Sequence, residues 1–400
     1  MRLHNGKLFW PDTLKKKGIK ESRSEISSHY DAVIIGGGMS GVLAAYTLLQ
    51  QGLKIAVLDK RGMGEGSSSA NTGLLQFSND IMLHELIEQI GEEQAVRFYS
   101  LCKKAVDQLE ETSRSVKRET DFIRRKSICY ASSEAHAGKL KKEYDALTKH
   151  GFSADYWTGE EVREHLPFDK PAALVTYGDA EVNPYRFIHA IISYLEEEGV
   201  HLFEHVEAEG TEQKDDSILL HTSIGTFTAS HLIYSVGYDL SAVKPKVGAA
   251  INRSYAIATE PIEDLSLWND RALIWETNRP YLYMRTTADN RIVAGGLDEE
   301  KPEAPKDESW IENRAAEIEK ELQQLFPQLP IKKAYEWGAT FGESLDNLPF
   351  IGRHPEREKE YYLLGYGGNG TVYSMLGSHI LCDLILGKEN QDAELVKLDR

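Results

Sequence analysis

The fold is decided by Asp31-Ala-Val-Ile-Ile-Gly-Gly-Gly-Met-Ser-Gly41, followed by residues 42–51 and then by Lys54-Ile-Ala-Val-Leu-Asp59. An uninterrupted apolar, β-branched run before the glycines is typical of a parallel strand that is buried on both faces. The leucines and alanines of residues 42–51 predict a helix that packs on this sheet, and Gly52 ends it. The stretch therefore predicts strand, tight turn, helix and strand, which is the start of a Rossmann-type α/β fold.

The three glycines Gly36, Gly38 and Gly41 form the pattern G-x-G-x-x-G. The first permits the tight turn, the second lets the backbone approach a pyrophosphate, and the third allows the helix to pack closely on the strand. The helix start, with Met39 and Ser40, would offer amide donors and a partial positive charge to phosphates. The preceding strand, the spacing of the glycines and the following helix are all those that a dinucleotide site requires. We therefore interpret the pattern as such a site rather than as a structural glycine turn.

An acidic residue ends the second strand of this unit. Asp59 lies about 20 residues after the glycines, where a carboxylate binds a ribose diol, and Lys60 follows it in the candidate site. An acid at this position disfavours a 2′-phosphate and therefore NADP. FAD and NAD both remain open on these residues alone.

Composition limits the class of protein. A chain of 400 residues with 41% hydrophobic and 27% charged residues predicts a globular enzyme of two associated domains. The net charge of −17 disfavours nucleic acid as a partner. Cys102, Cys129 and Cys382 form no metal-ligand spacing, so we expect no metal and a reducing cytoplasm. The leader has no apolar region, and no segment is long and apolar enough to predict an integral membrane helix.

Two further glycine-rich segments lie beyond this unit. Residues 64–73 read Gly-Glu-Gly-Ser-Ser-Ser-Ala-Asn-Thr-Gly, and the C-terminal part carries Asp346-Asn-Leu-Pro-Phe-Ile-Gly352 and then Gly365-Tyr-Gly-Gly-Asn-Gly370 before a helix. With the first motif, they resemble the D-amino acid oxidase (DAO) family of FAD-dependent oxidoreductases, in its glycine oxidase, sarcosine oxidase and gamma-glutamylputrescine oxidoreductase branch. The resemblance covers about residues 31–387 and implies FAD rather than NAD.

The resemblance also implies which residues meet the cofactor. Val206 matches a position whose backbone meets adenine, and Gly237 matches a glycine that lets a strand end approach FAD. Some members attach FAD through a cysteine just before the closing motif, but residues 337–344 contain none, so we expect noncovalent FAD. In the two later glycine-rich segments the implied contacts are Ser67, Ser68, Asn71, Thr72, Gly73, Gly365, Gly367, Gly368, Asn369, Gly370 and Thr371.

The remaining pattern predicts a discontinuous arrangement. Residues 83–150 look helical and highly charged, 249–296 look like an antiparallel sheet, and 308–326 look like an amphipathic helix. We expect an N-terminal arm packed through Phe9 and Trp10, a Rossmann-type FAD-binding domain, and an α+β substrate domain built on an antiparallel sheet. The expected ranges are 1–29 for the arm, 30–108, 183–243 and 345–400 for the FAD-binding domain, and 109–182 and 244–344 for the substrate domain.

The candidate substrate strand is Pro280-Tyr-Leu-Tyr-Met-Arg285, which resembles the strand whose alternate side chains face the flavin in this family. Alternation puts Tyr281, Tyr283 and Arg285 on one face, where the arginine would bind a substrate carboxylate. The alternative is that Arg285 is a surface or interdomain salt-bridge arginine and the tyrosines belong to the core. The family's chemistry transfers a hydride from a carbon that bears nitrogen to flavin N5, and the imine then hydrolyses.

The expected substrate is therefore a small amine or amino acid, with oxygen or a quinone as the electron acceptor. The alternative is a dehydrogenase of a hydroxy acid or glycerol phosphate. Such an enzyme would need several basic residues near the flavin to bind the substrate's anion, and the sequence contains few candidates for them. A tRNA-modification flavoprotein would need a basic patch to bind RNA, and the acidic composition of the chain disfavours this alternative. An NAD dehydrogenase would leave the serine-rich and C-terminal glycine segments unexplained. The particular amine and the oligomeric state are left open by these patterns.

Overall fold

The structure is a computed structural model that describes residues 3–14, 26–238, 248–300 and 309–400. Two β-sheets and nine helices within these ranges confirm the predicted α/β class. None of the helices in the described ranges is long and apolar enough to cross a membrane. The helices are α1 (Met39–Leu49), α2 (Leu83–Ile90), α3 (Glu92–Ser115), α4 (Glu134–Lys149), α5 (Gly159–His165), α6 (Pro184–Glu197), α7 (Ser309–Leu325), α8 (Gly370–Ile385) and α9 (Ala393–Val396).

The first sheet is the predicted Rossmann-type sheet. Its strands are β2 (Tyr30–Ile35), β3 (Ile55–Leu58), β8 (His201–Phe203), β9 (Ala208–Gln213), β10 (Ile218–Thr222), β11 (Gly225–Tyr234), β17 (Phe350–His354) and β18 (Arg357–Leu364). The order is β17-β18-β11-β2-β3-β8, and β10 joins β9 to β11. Strands β18, β11, β2, β3 and β8 run parallel, so their carboxyl ends share one edge.

Strand β2 is buried on both faces, as its apolar run predicts. Ala32 and Ile34 pack in the core that contains α1, whereas Val33 and Ile35 pack in the core on the other face. Helices α1 and α8 lie side by side on this sheet. A hydrogen bond of 2.8 Å joins the hydroxyls of Thr47 on α1 and Ser378 on α8, and both residues are buried.

The second sheet has ten strands and is antiparallel except where the strand Leu273–Glu276 runs parallel to the strand Ile123–Tyr130. The antiparallel sheet predicted over 249–296 is confirmed, and α7 covers it through Ile311 and Ile318. Its strands are β1 (His4–Lys7), β4 (Leu74–Leu75), β5 (Ile123–Tyr130), β6 (Ala154–Thr158), β7 (Ala172–Glu181), β12 (Ala249–Thr259), β13 (Leu273–Glu276), β14 (Tyr283–Thr286), β15 (Ile292–Glu299) and β16 (Lys333–Ser344).

Two expectations from the sequence are corrected here. The helical stretch predicted over 83–150 is interrupted by β5, and the boundary expected at residue 108 falls inside α3. The sequence did not indicate this strand because three consecutive cations, Arg124, Arg125 and Lys126, interrupt the alternation of apolar and polar residues. Each of these cations forms an ion pair, with N–O distances between 2.6 and 2.9 Å.

The described part of the N-terminal arm joins the second sheet, because β1 pairs with β16 at its edge. Phe9 and Trp10 are buried, as expected. The boundary expected at residues 243–244 lies outside the described residues.

Candidate functional site

A cavity of about 680 Å³ lies between the carboxyl ends of the parallel strands and one face of the antiparallel sheet. Sites for small molecules and cofactors usually have about 300 to 1,000 Å³. The candidate cofactor residues in its wall are Gly36, Gly38, Met39, Ser40, Asp59, Lys60, Ser67, Ser68, Asn71, Thr72, Val206, Gly237, Gly365, Gly367, Gly368, Asn369, Gly370 and Thr371. The candidates Gly41 and Gly73 lie outside the wall.

The first glycine turn has the geometry that its spacing predicts. Gly36 has a φ of +109°, and a Cβ there would lie 2.2 Å from the carbonyl oxygen of Ser235. A Cβ on Gly41 would lie 1.8 Å from the carbonyl oxygen of Gly36, so this glycine lets α1 pack against the turn and does not face the cavity. Helix α1 then begins at Met39, and its first residues, Met39 and Ser40, line the cavity.

The carboxylate of Asp59 is held beside this turn. One oxygen accepts the amide of Gly37 at 2.7 Å, and the other accepts the amide of Arg61 at 2.8 Å. Burial nevertheless raises the pKa of Asp59, against the lowering effect of these two hydrogen bonds. The bonds orient the side chain at the end of β3, where it lines the cavity. Its contact with a ribose remains a prediction.

The serine-rich segment 64–73 is tied to the first turn. The hydroxyl of Ser68 accepts the amide of Met39 at 3.0 Å. The hydroxyl of Ser67 is buried in the cavity wall and has no hydrogen-bond partner in the part of the chain that is described. Such a group is expected where a ligand supplies the missing partner. Gly73, by contrast, packs away from the cavity, since a Cβ there would lie 2.2 Å from the carbonyl oxygen of Val182.

The C-terminal glycine turn forms the opposite wall. Helix α8 begins at Gly370, so its amino end also faces the cavity. The hydroxyls of Ser40 on α1 and Ser374 on α8 are 2.7 Å apart, which holds the two helix ends together. Asn369 donates to the carbonyl of Ser78 at 2.5 Å and fixes the turn. Two helix amino ends therefore present partial positive charge to one cavity.

Val206 and Gly237 also line the cavity, as the resemblance implies. The amide of Val206, however, donates to the carbonyl of Asp59 at 2.9 Å, which leaves its carbonyl oxygen as the group that can meet adenine. Gly237 adopts a φ of +56° just after β11.

The structure separates the three candidate substrate residues. Tyr281 and Tyr283 line the cavity with their rings 5.6 Å apart, but Arg285 does not line it. The side chain of Arg285 is 2% exposed, and its guanidinium donates to the carbonyls of Thr72, Thr286 and Val182 at 2.8, 3.1 and 2.7 Å.

The role predicted for Arg285 is therefore contradicted by the structure. Alternation placed it on the correct face of the strand, but Trp10 covers that face, with its ring 4.9 Å from the guanidinium. A carboxylate, that of Glu181, already lies 3.8 Å away. These contacts fit the alternative interpretation, in which Arg285 is an interdomain arginine.

Sequence reasoning missed the rest of this wall. Trp275 is the cross-strand partner of Tyr283, and Asp80 accepts the hydroxyl of Tyr281 at 3.1 Å. Asp298 also lines the cavity, and burial raises its pKa to about 6 against a hydrogen bond from Ser254 that lowers it. Strand pairing could have revealed Trp275, but no local pattern marks Asp80.

The three cysteines are free and buried, and none of them lines the cavity. Among the described residues, no group of three or more His, Cys, Asp or Glu side chains is arranged to hold a metal ion.

The chain matches known proteins over most of its length. It is 26% identical to glycine oxidase of Bacillus subtilis, over 91% of this chain and 95% of that one. It is 24% identical to gamma-glutamylputrescine oxidoreductase of Escherichia coli, over 89% and 84%. The crystal structure of glycine oxidase from Geobacillus kaustophilus superposes with a TM-score of 0.79 at 21% identity and covers 94% of this chain and 99% of that chain. Residues 31–384 match the family described as FAD dependent oxidoreductase, and the chain belongs to that DAO family.

Proposed function

We propose that this FAD-dependent oxidoreductase oxidises the carbon–nitrogen bond of an amine or amino acid. The observation that carries the proposal is that one cavity joins the dinucleotide turn to a wall of aromatic and acidic side chains. The relatives support it, since one is named for glycine and another for gamma-glutamylputrescine, and both compounds contain amino nitrogen.

The residues of the cavity fit FAD. Gly36 and Gly38 leave room for a pyrophosphate at the start of α1, and the partnerless hydroxyl of Ser67 would donate to it. Asp59 would bind the ribose, with Lys60 beside it. The segments at 71–72 and 365–371 would enclose the ring. When bound, FAD accepts a hydride from the carbon that bears nitrogen, and water hydrolyses the imine that results.

The chain's own contribution is orientation and electrostatics. The amino end of α8 would stabilise negative charge as it develops on the ring. Trp275, Tyr281 and Tyr283 would position the substrate and exclude water. We propose noncovalent FAD, since no cysteine lines the cavity. The free cysteines also support a reducing, cytoplasmic location.

The alternative substrates, hydroxy acids or glycerol phosphate, have less support. The basic residues in the cavity wall are Lys60 and Arg61, next to Asp59 on the dinucleotide side, and Arg357, which pairs with Glu360 at 3.0 Å. Asp80 and Asp298 line the aromatic end. An anionic substrate would meet like charge there.

Purified protein tests the proposal directly. We expect yellow protein, release of the flavin by acid, and bleaching of the flavin band by amines or amino acids without oxygen. Reoxidation by oxygen or by a soluble quinone would then identify the acceptor. Protein that takes up no added FAD, or loaded protein that no amine or amino acid bleaches, would contradict the proposed function.

A further inference from the structure

The aromatic end of the cavity has an unusual combination of groups. The rings of Trp275 and Tyr281 are 6.4 Å apart, and those of Tyr281 and Tyr283 are 5.6 Å apart. The carboxylates of Asp80 and Asp298 line the same end. Aromatic faces and carboxylates both attract cations.

The two carboxylates differ in their bonding. Asp80 is satisfied inside the protein, because its two oxygens accept the hydroxyl of Tyr281 at 3.1 Å and the amide of Gly368 at 2.9 Å. One oxygen of Asp298, by contrast, is buried and has no hydrogen-bond partner within the described ranges. A buried carboxylate oxygen without a partner is costly unless a ligand supplies a donor.

Positive charge in this region is limited. Arg285 is fully engaged with carbonyl groups. Arg279 is exposed and does not line the cavity, although its charge favours the ionised form of Asp298. It lies 4.5 Å from the ring of Tyr281 and donates to the carbonyl of Asp80 at 2.9 Å. A third carboxylate, that of Glu343, lies near Asp80 and Asp298 and accepts a hydrogen bond of 2.5 Å from the side-chain amide of Asn252. The field at this end therefore favours a cation over a carboxylate.

We infer that the substrate is a diamine or polyamine, with Asp298 as the ion-pair partner of an ammonium group that does not react. This inference rests on the proposed function. The reacting nitrogen must be uncharged, because a protonated amine has no electron pair to stabilise the carbon that loses hydride. The positive charge that Asp298 binds therefore belongs to a second nitrogen. The three aromatic rings form the walls around the methylene chain.

A binding experiment tests the charge without turnover. Butyltrimethylammonium has no electron pair on nitrogen and cannot be oxidised there, so its Kd on the FAD-loaded enzyme can be measured by calorimetry and by the change in flavin absorbance. We expect it to bind more tightly than butanol or butanoate. Asp298→Asn keeps the shape of the side chain and should weaken its binding by about tenfold, because the quaternary ammonium has no N–H donor and loses only the attraction of the carboxylate charge. Arg279→Gln is the control and should not weaken it.

Flavin bleaching without oxygen tests the substrate class. We expect 1,4-diaminobutane or a homologue one methylene shorter or longer to bleach the flavin more efficiently than n-butylamine or 4-aminobutanoate. Asp298→Asn should lower the bleaching efficiency of the diamine about tenfold more than that of n-butylamine, because only the diamine carries the second ammonium group. Binding of butanoate that is tighter than that of butyltrimethylammonium, and that Arg279→Gln weakens, would overturn the inference and indicate a carboxylate substrate held by Arg279.

The two proposals fail in different ways. Flavin that is bleached by amino acids with no dependence on Asp298 overturns the diamine inference and leaves the proposed function intact. Cation binding that depends on Asp298, in a protein whose flavin no amine or amino acid bleaches, overturns the proposed function and with it the assignment of a diamine as substrate.

Discussion

Arg285 acts as a buried structural cross-link between three segments of the chain. Its guanidinium joins the carbonyl of Thr72 in the serine-rich segment to that of Val182 at the end of β7. Removing it leaves these carbonyls without a donor and Glu181 without one of its two arginine partners. We expect Arg285→Met to lower the free energy of unfolding by about 3 kcal/mol, measured by denaturant titration.

The matched control is an arginine on the surface. Arg114 has a side chain that is 74% exposed and pairs with Glu110 one helical turn away, so Arg114→Met should change stability by less than about 0.5 kcal/mol. Folded Arg285→Met protein should bind substrate as the parent does. A selective rise in KM with unchanged stability would instead return Arg285 to the substrate site.

The raised pKa of Asp298 predicts that cation binding depends on pH. Burial raises this pKa to about 6, and the negative charge is present above that value and lost below it. The Kd of butyltrimethylammonium should therefore rise about tenfold between pH 7.5 and pH 5 in the parent, whereas Asp298→Asn should show a much flatter profile. A profile that is equally steep in both would assign the titration to a neighbour. The titratable groups around Asp298 are Asp80, Arg279, Tyr281, Tyr283 and Glu343.

Among the elements, the turn between β2 and α1 is the most constrained by its glycines. Gly41→Ala would place a methyl group 1.8 Å from the carbonyl oxygen of Gly36 and push the amino end of α1 away from the cavity. We expect FAD affinity to fall by at least about tenfold, since the phosphate donors lose their positions, as measured by flavin fluorescence during titration.

Gly138→Ala is the control for this change. Gly138 lies inside α4, and a Cβ there has nothing within 4 Å. Because alanine favours a helix more than glycine does, this variant should leave FAD binding unchanged and stabilise the protein by up to about 1 kcal/mol. An equal loss of FAD affinity in both variants would contradict the steric argument.

The elements also show what could be predicted from the sequence. The unit β2-α1-β3 was predictable because strand, glycines, helix and Asp59 are all local signals. Strand β5 was not, since its cations are neutralised by residues far away in the chain, such as Asp270. The sequence identified part of the substrate wall, because alternation pointed to Tyr281 and Tyr283. Arg285 was misassigned because Trp10 covers its face of the strand, and no pattern within that strand indicates this.

At the scale of the whole molecule, the cavity is completed by chain segments that are distant in sequence. Residues from 3 to 374 line it, so its shape depends on how the two sheets meet. The N-terminal arm is part of this closure: Leu3 lines the cavity, and β1 continues the antiparallel sheet. Local patterns predict the elements, whereas the position of the arm follows only from the packing of the complete chain.

The arm therefore has a testable effect on the cofactor. The indole nitrogen of Trp10 donates to the carbonyl of Asn71 at 2.6 Å, and Trp10 is 2% exposed. Trp10→Phe keeps a ring but removes this donor, so the serine-rich segment loses one of its anchors, and we expect FAD to dissociate several times faster.

Trp268→Phe serves as the matched control for the loss of an indole donor. Trp268 is equally buried and donates to the carbonyl of Ala272 at 2.8 Å, but it packs in the core beneath α7 and does not line the cavity. Both substitutions should lower Tm by a few degrees, since each leaves a buried carbonyl without its donor. Only Trp10→Phe should release FAD faster in a dilution experiment followed by flavin fluorescence. Equal release rates would mean that the arm stabilises the fold without holding the cofactor segment.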